Sequence, residues 1–231
     1  MYWIILFAFM GIGFYVQNKL KSKFKKYSQV PLRSGLSGKE VAEKMLSHHG
    51  IHDVKVLSVP GQLTDHYNPD KLTVNLSPEV YNGRTVAAAG VAAHEVGHAV
   101  QHQVGYTALQ LRSKLVPAVN FSSQIMNFVF MASMFMMFST SLFPYSTYLL
   151  IIIACQAVIT LFTVITLPVE FDASRRAVVW LDTSGITRST EEHSGVKDAL
   201  TWAGMTYLVA ALSSATMLAY FIMRYMGTSD D

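Results

Sequence analysis

Long stretches without a charged residue alternate with polar segments along the chain. Charged residues are absent between Lys114 and Glu170, and again between Asp198 and Arg224. Because roughly 20 apolar residues cross a bilayer as a helix, the first stretch has room for two crossings. The segment LFPYST (Leu142–Thr147) interrupts that stretch with a proline and polar residues. It is typical of a tight turn, and the whole stretch therefore predicts a hairpin of two membrane-spanning helices.

The same pattern predicts a third span after residue 203 and a fourth at the N-terminus. The N-terminal run YWIILFAFMGIGFYV is shorter, but it has neither the preceding basic residue nor the following small-residue cleavage site of a signal peptide. We therefore predict about four spans, at residues 1–17, 121–143, 148–167 and 204–223. The predicted organisation is a transmembrane helix (1–17), a region outside the membrane (18–120), a transmembrane hairpin (121–167), a second segment outside the membrane (168–203) and a last transmembrane helix (204–223).

The region between residues 18 and 120 has the patterns of a small α+β unit. In SGKEVAEKMLSHHG, Ser37 as N-cap and Glu40 three residues later form a capping-box signature, and Gly50 is typical of a helix end. Three short apolar segments follow, VKVLSV, QLTDHY and KLTVNLS, and each is predicted to be a strand. The turn NPDK between the last two favours a hairpin.

Two helices are predicted after these strands. Pro78 in SPE is typical of a first helical position. The alanine-rich run from Thr85 to Lys114 then predicts one long helix. Because this run consists mainly of Ala, Val and Gly, we expect the helix to be buried.

Composition and charge support a membrane protein and orient it. The chain of 231 residues is 51% apolar and only 14% charged, which is too apolar for an ordinary soluble domain of this length. Five lysines follow the first predicted span, at positions 19, 21, 23, 25 and 26. Since positive residues near spans remain in the cytoplasm, residues 18–120 and 168–203 are predicted to face it. The net charge of +3 lacks the basic and aromatic interleaving of a nucleic-acid surface, so nucleic acid is excluded as a partner.

The segment AAHEVGHAVQH carries the candidate chemistry. On a helix, His94 and His98 lie on one face a turn apart, where two imidazoles can bind one metal ion. Glu95 can then reach a water at that ion, and this His-Glu-x-x-His pattern is typical of zinc hydrolases. A pair of surface histidines with an incidental glutamate is the alternative. The expected burial argues against it, because burying these groups without partners is costly.

A third ligand is needed, and two residues compete for the role. His102 continues the four-residue spacing, but it would lie about 12 Å along the helix axis from His94. We therefore expect it to be a surface or supporting residue. Glu170 is the first charge after the hairpin and is predicted to emerge on the same cytoplasmic side. Pairing with Arg175 or Arg176 is its alternative role, but the missing ligand favours coordination.

These residues carry a resemblance to a known family. VAAHEVGHAVQ, with EFDASRRA downstream of it and LTDHYNP and LSPEVYNGR ahead of it, resembles the bacterial membrane-bound neutral zinc metallopeptidases of the YugP-like family over nearly the whole chain. More distantly it is similar to the CAAX prenyl proteases and the HtpX-like proteases. The resemblance implies His94, His98 and Glu170 as zinc ligands and Glu95 as the catalytic base.

One departure concerns support of the ligands. The distant relatives have an aspartate four residues after the ligand glutamate, where this chain has Ser174. Asp172 is only two residues from Glu170, so we expect it to face elsewhere on a helix, and no residue is assigned to support the histidines. For the oxyanion, His193 and Tyr207 are candidates that no spacing distinguishes. The strand LTDHY either binds an extended substrate at a sheet edge or only packs.

The sequence thus predicts a mainly α membrane protein with about four transmembrane helices and a small α+β cytoplasmic, zincin-like catalytic unit. The predicted function is a multi-pass cell-membrane zinc endopeptidase that acts on protein or peptide substrates at the cytoplasmic surface. A metal-binding membrane scaffold without hydrolytic activity is the alternative. Transport is disfavoured, since the predicted spans contain essentially no ionisable residues. The substrate's identity and the oligomeric state are open at this point.

Overall fold

A computed structural model describes residues 1–136 and 144–227 of the chain. Helices dominate these ranges, with one small sheet. In chain order the elements are α1 (Tyr2–Tyr27), α2 (Gly38–His48), β1 (Lys55–Ser58), β2 (His66–Asn68), β3 (Thr73–Leu76), α3 (Pro78–Asn82), α4 (Val86–Gln103), α5 (Thr107–Met136), α6 (Tyr145–Thr183) and α7 (Thr190–Met226).

Four helices among the described residues are long and apolar enough to cross a membrane, namely α1, α5, α6 and α7. This confirms the predicted number of candidate spans. The helices are longer than the predicted spans, since α5 begins at Thr107 and α6 continues through Pro168 to Thr183. Of the predicted turn at Leu142–Thr147, residues 142 and 143 lie outside the described ranges, and α6 begins at Tyr145.

Two compact units divide the chain. The first, here the helical unit, comprises Met1–Gly13, Leu111–Leu167 and Tyr207–Asp231. The second, here the site unit, comprises Phe14–Gln110 and Pro168–Thr206. Helices α1, α5, α6 and α7 contribute residues to both units. All residues of the candidate chemistry except Tyr207 belong to the site unit.

The start of the site unit follows its local sequence signals. The capping box of α2 is confirmed: the Ser37 backbone N–H donates to the Glu40 carboxylate over 2.7 Å, and the Glu40 N–H donates back to the Ser37 hydroxyl. Gly50, just past the helix end, has φ +68°, a left-handed conformation that glycine adopts without strain. Pro78 at the start of α3 is also confirmed.

The three strands form a sheet of order β1-β3-β2, with β1 parallel and β2 antiparallel to β3. The predicted hairpin is confirmed, and its turn is closed by the Lys71 N–H donating to the Asn68 side chain over 2.9 Å. β2 is shorter than predicted and contains only the end of QLTDHY. Before it, Leu63 has a positive φ of 57° and Asp65 binds the Ser77 backbone N–H over 2.7 Å, so these residues form a loop.

The single long helix predicted from Thr85 to Lys114 is wrong. α4 ends at Gln103, and Gly105 has φ +63°. The Tyr106 N–H donates to the Gln101 carbonyl and the Gly105 N–H to the His102 carbonyl, which together form a Schellman cap. The glycine therefore terminates α4, and α5 begins as a separate helix at Thr107.

The core of the site unit surrounds α4. Most α4 residues are buried, as predicted from its Ala, Val and Gly content. Helix α2, strand β3 and the site-unit parts of α6 and α7 pack around it. Fully buried core side chains include Val41, Met45, Val74, Leu76, Val96, Leu181 and Val196. The histidine pair therefore lies on a helix held on several sides by apolar contacts.

Candidate metal centre

Helix α4 presents both histidines to the same side. The His94 and His98 rings have their centroids 4.8 Å apart and are nearly perpendicular, at 84°. The His94 side chain is 12% exposed and that of His98 is 10% exposed. This burial disfavours the alternative of an incidental surface pair, because buried polar groups require partners.

Glu170 reaches the two histidines from α6, and its side chain is only 3% exposed. The approach of α6 to α4 depends on Gly97, since a Cβ at this position would lie 2.7 Å from the Ala173 carbonyl oxygen. The atoms that a side chain at position 97 would meet therefore belong to the backbone of α6 one turn after Glu170.

Three potential ligand atoms converge at this point. The Glu170 Oε2 atom lies 3.3 Å from His94 Nε2 and 3.6 Å from His98 Nε2. All three atoms lie within 4.8 Å of one another. Two ligands of a tetrahedral zinc ion with bonds of about 2.0–2.1 Å lie about 3.4 Å apart. The donor set and the two separations between Glu170 and the histidines therefore fit zinc, while Arg175 and Arg176 pair with Asp172.

The outer ring nitrogens of both histidines have polar neighbours. His94 Nδ1 lies 3.1 Å from Ser174 Oγ, and His98 Nδ1 lies 3.0 Å from Gln101 Oε1. The sequence alone did not identify these two residues as supports of the histidines. The spacing within each helix could have indicated both residues. Ser174 follows Glu170 by four residues and Gln101 follows His98 by three, so each shares a helix face with a proposed ligand.

Asp172 has a partner that its spacing from Glu170 does not suggest. It lies outside the group of three converging residues, as expected. Its Oδ2 nevertheless accepts a hydrogen bond from Gln101 Nε2 over 3.0 Å, and its two oxygens also bind Arg175 and Arg176. The expectation that Asp172 faces elsewhere is therefore incomplete, because it contacts the residue that supports His98.

Glu95 is 8% exposed and is held by strand β2. Its Oε2 accepts the backbone N–H of Tyr67 over 3.0 Å. The Tyr67 hydroxyl lies 2.8 Å from His102 Nδ1, and burial, reinforced by the Asp53 carboxylate, raises the pKa of Tyr67 to about 12. This phenol therefore stays protonated at neutral pH. His102 is exposed and lies outside the converging group.

The two oxyanion candidates are not distinguished. His193 lies on the first turn of α7, with Nδ1 3.4 Å from the Asp182 carboxylate. Tyr207 lies further along α7, in the helical unit. Their role remains a prediction.

Comparison with known proteins gives a consistent result. Residues 2–226 match the model of a family described as "Putative neutral zinc metallopeptidase". The chain is also similar to a Bacillus subtilis (strain 168) protein named "Putative membrane protease YugP". The two are 44% identical over 224 residues, which is 97% of this chain and 96% of the relative. No solved structure matches the chain.

Proposed function

The chain belongs to this neutral zinc metallopeptidase family, and on that premise we propose that it is a zinc-dependent endopeptidase of the cell membrane. The observation that carries the proposal is the convergence of His94 Nε2, His98 Nε2 and Glu170 Oε2, with Glu95 next to His94 in sequence. Two imidazoles and one carboxylate are a common protein ligand set of catalytic zinc.

The three ligands would leave one position of a tetrahedral zinc open, as catalytic sites require. When bound there, zinc supplies Lewis acidity, which lowers the pKa of a water molecule and polarises a peptide carbonyl. The chain's own residues would orient the three ligands and keep other polar groups away from them. Burial of Glu170 and contacts to the outer nitrogens of both histidines support that task.

Glu95 is the proposed proton carrier. The Tyr67 N–H holds its Oε2, so Oε1 can accept a proton from the attacking water. The water oxygen bonds to the carbonyl carbon as it gives up this proton. The C–N bond then breaks as Glu95 donates the proton to the leaving nitrogen, which gives a carboxylic acid and a free amine. Because the donor is the backbone N–H of residue 67, any residue other than proline at this position can hold the carboxylate in the same way.

The edge strand of the sheet is a candidate substrate contact. β2 is paired with β3 along one edge, and its Tyr67 backbone N–H on the other edge is directed at Glu95. An extended peptide lying along β2 would therefore pass next to the proposed base. The alternative for β2 is packing alone.

We further propose that the site faces the cytoplasm close to the bilayer. The lysine cluster after the first predicted span supports this orientation. Glu170 follows Leu167, the predicted end of a span, by only a few residues of sequence. A site at Glu170 would therefore lie within about one or two helical turns of the membrane surface. Its substrates would be membrane proteins or flexible cytoplasmic segments that reach this surface.

Metal analysis combined with a cleavage assay tests this function. The full chain, purified in detergent, should contain one zinc per chain and cleave a casein-type substrate, and a chelator should abolish cleavage until zinc is restored. Zinc uptake without cleavage would favour the alternative of a metal-binding scaffold. Cleavage that survives complete removal of the metal would contradict the proposal.

A further inference from the structure

Gln101 uses both ends of its side-chain amide inside the protein. It is fully buried, with 0% of its surface exposed. Its Oε1 faces His98 Nδ1 at 3.0 Å, while its Nε2 donates to the Val169 carbonyl over 2.8 Å and to the Asp172 carboxylate over 3.0 Å. One buried side chain thus joins the proposed ligand on α4 to two acceptors on α6.

The two α6 acceptors determine which way the amide points. A backbone carbonyl oxygen can only accept hydrogen bonds, so the amide NH2 must face Val169. The Asp172 carboxylate, paired with Arg175 and Arg176, is also an acceptor and requires the same orientation. The opposite orientation would place the amide oxygen against two acceptors. The amide oxygen must therefore face His98.

This orientation in turn determines the state of His98. Because Gln101 Oε1 can only accept, His98 Nδ1 must carry the hydrogen. In a neutral imidazole with its hydrogen on Nδ1, Nε2 has the free lone pair, and that atom is the one lying 3.6 Å from Glu170. We propose that Gln101 is a positioning residue that fixes the His98 tautomer for metal binding, with Val169 and Asp172 holding its amide. This inference rests on the proposed zinc site.

The other histidine lacks such a constraint. The contact of His94 Nδ1 is with the Ser174 hydroxyl, which can either donate or accept. Ser174 therefore orients the ring but does not select its tautomer. We expect the two supporting contacts to be unequal, with removal of Gln101 weakening zinc binding more than removal of Ser174.

Zinc affinity of the purified full chain tests the inference directly. Gln101→Leu keeps the approximate size of the side chain but removes its hydrogen bonds. Loss of outer support of a ligand typically weakens metal binding about 10–100-fold, and we expect a loss in this range by competition with a chromophoric chelator. Gln103→Leu, at an exposed position on the same helix, is the matched control and should bind zinc like the wild type.

Two further measurements separate positioning from folding. The apo-protein melting temperature shows whether Gln101→Leu folds. If it does not fold, Gln101→Met replaces it, because methionine has a similar length to glutamine but lacks the amide that bonds to Val169 and Asp172. Gln101→Met should weaken zinc binding in the same range as Gln101→Leu. Cobalt substitution should then give a visible spectrum that differs from wild type in the variants but not in Gln103→Leu.

The outcomes distinguish this inference from the proposed function. A folded Gln101→Leu that binds zinc as tightly as the wild type would overturn the role of Gln101 and leave the zinc site intact. If that variant does not fold, wild-type affinity and an unchanged cobalt spectrum in Gln101→Met would overturn it equally. If the wild type itself takes up no zinc, the proposed function fails and the inference fails with it.

Discussion

Gly97 of α4 lies against Ala173 of α6 so closely that a Cβ on residue 97 would be 2.7 Å from the Ala173 carbonyl oxygen and 3.1 Å from its Cα. Backbone atoms cannot move aside as the end of a flexible side chain can. The contact is one turn from both His94 and Glu170, so the separation of the two helices sets the separation of the proposed ligands.

Gly97→Ala should therefore lose zinc although alanine favours helix formation. The added methyl group pushes α6 away from α4, and Glu170 moves with it. Zinc content after dialysis and the melting temperature of the zinc-free protein would measure the two effects.

Gly90→Ala on the same helix is the matched control. The atom nearest to its added Cβ would be a side-chain carbon of Val196 at 3.4 Å, an ordinary van der Waals distance. Alanine is about 1 kcal/mol better than glycine in a helix interior, so Gly90→Ala should keep zinc with unchanged or higher stability. Equal zinc content in both variants would show that the close approach at Gly97 does not determine the site.

Glu95→Gln should abolish peptide cleavage and leave zinc bound. Glutamine keeps the oxygen that accepts the Tyr67 N–H, but its amide cannot take a proton from water. Loss of a positioned general base costs about 10²–10⁴-fold in rate. Cleavage rate and zinc content would be measured on the same preparation, and a variant cleaving at the parental rate would remove Glu95 from the mechanism.

Glu170→Ala should lose both zinc and cleavage, since two histidines alone are too few ligands for stable catalytic zinc. His102→Ala should keep zinc, because His102 contacts Tyr67 outside the converging group. Asp172→Ala should keep zinc at saturation but bind it more weakly, through the lost contact to Gln101. Full zinc occupancy in Glu170→Ala, with loss in either other variant, would mean that the ligands are wrongly assigned.

Local signals made much of the fold predictable. Features that are determined by residues close together in sequence could be predicted, and the structure contains them. They are the capping box of Ser37 and Glu40, the helix start at Pro78 and the four apolar helices. Helix ends were less predictable. Gly105 terminates α4 within an otherwise helical pattern, and only its left-handed φ distinguishes it from a tolerated helical glycine.

The supporting contacts that join α4 to α6 were not predictable by the same means. His94 and His98 share one helix, so their spacing alone predicts that they are neighbours. The contact of Gln101 with Val169 and Asp172 joins residues about 70 positions apart and depends on how α4 and α6 pack.

The Ser189 and Glu192 pair repeats the capping-box signature and could have been found from sequence.

Glu192→Ala should destabilise the site unit strongly. The carboxylate is 2% exposed and accepts three backbone N–H groups, from Arg33, Arg188 and Ser189. Hydrogen bonds to a charged group contribute about 1.5–3 kcal/mol each, so a loss of at least about 3 kcal/mol is expected. Glu191→Ala, the exposed neighbour, is the control for thermal melting. Equal melting temperatures would contradict this role.

The last prediction concerns orientation in the membrane. Both segments that contribute to the proposed site must face the same side, and the lysine cluster predicts that this side is the cytoplasm. Cys155, the single cysteine of the chain, is first replaced by alanine. In this background, single cysteines at Lys44 and at Ser189 should be protected from an impermeant thiol reagent in intact cells. A cysteine at Ser229, beyond the last predicted span, should react. All three should react after permeabilisation, which controls for burial. Labelling at positions 44 and 189 in intact cells would place the site on the outer face and contradict the proposed substrates.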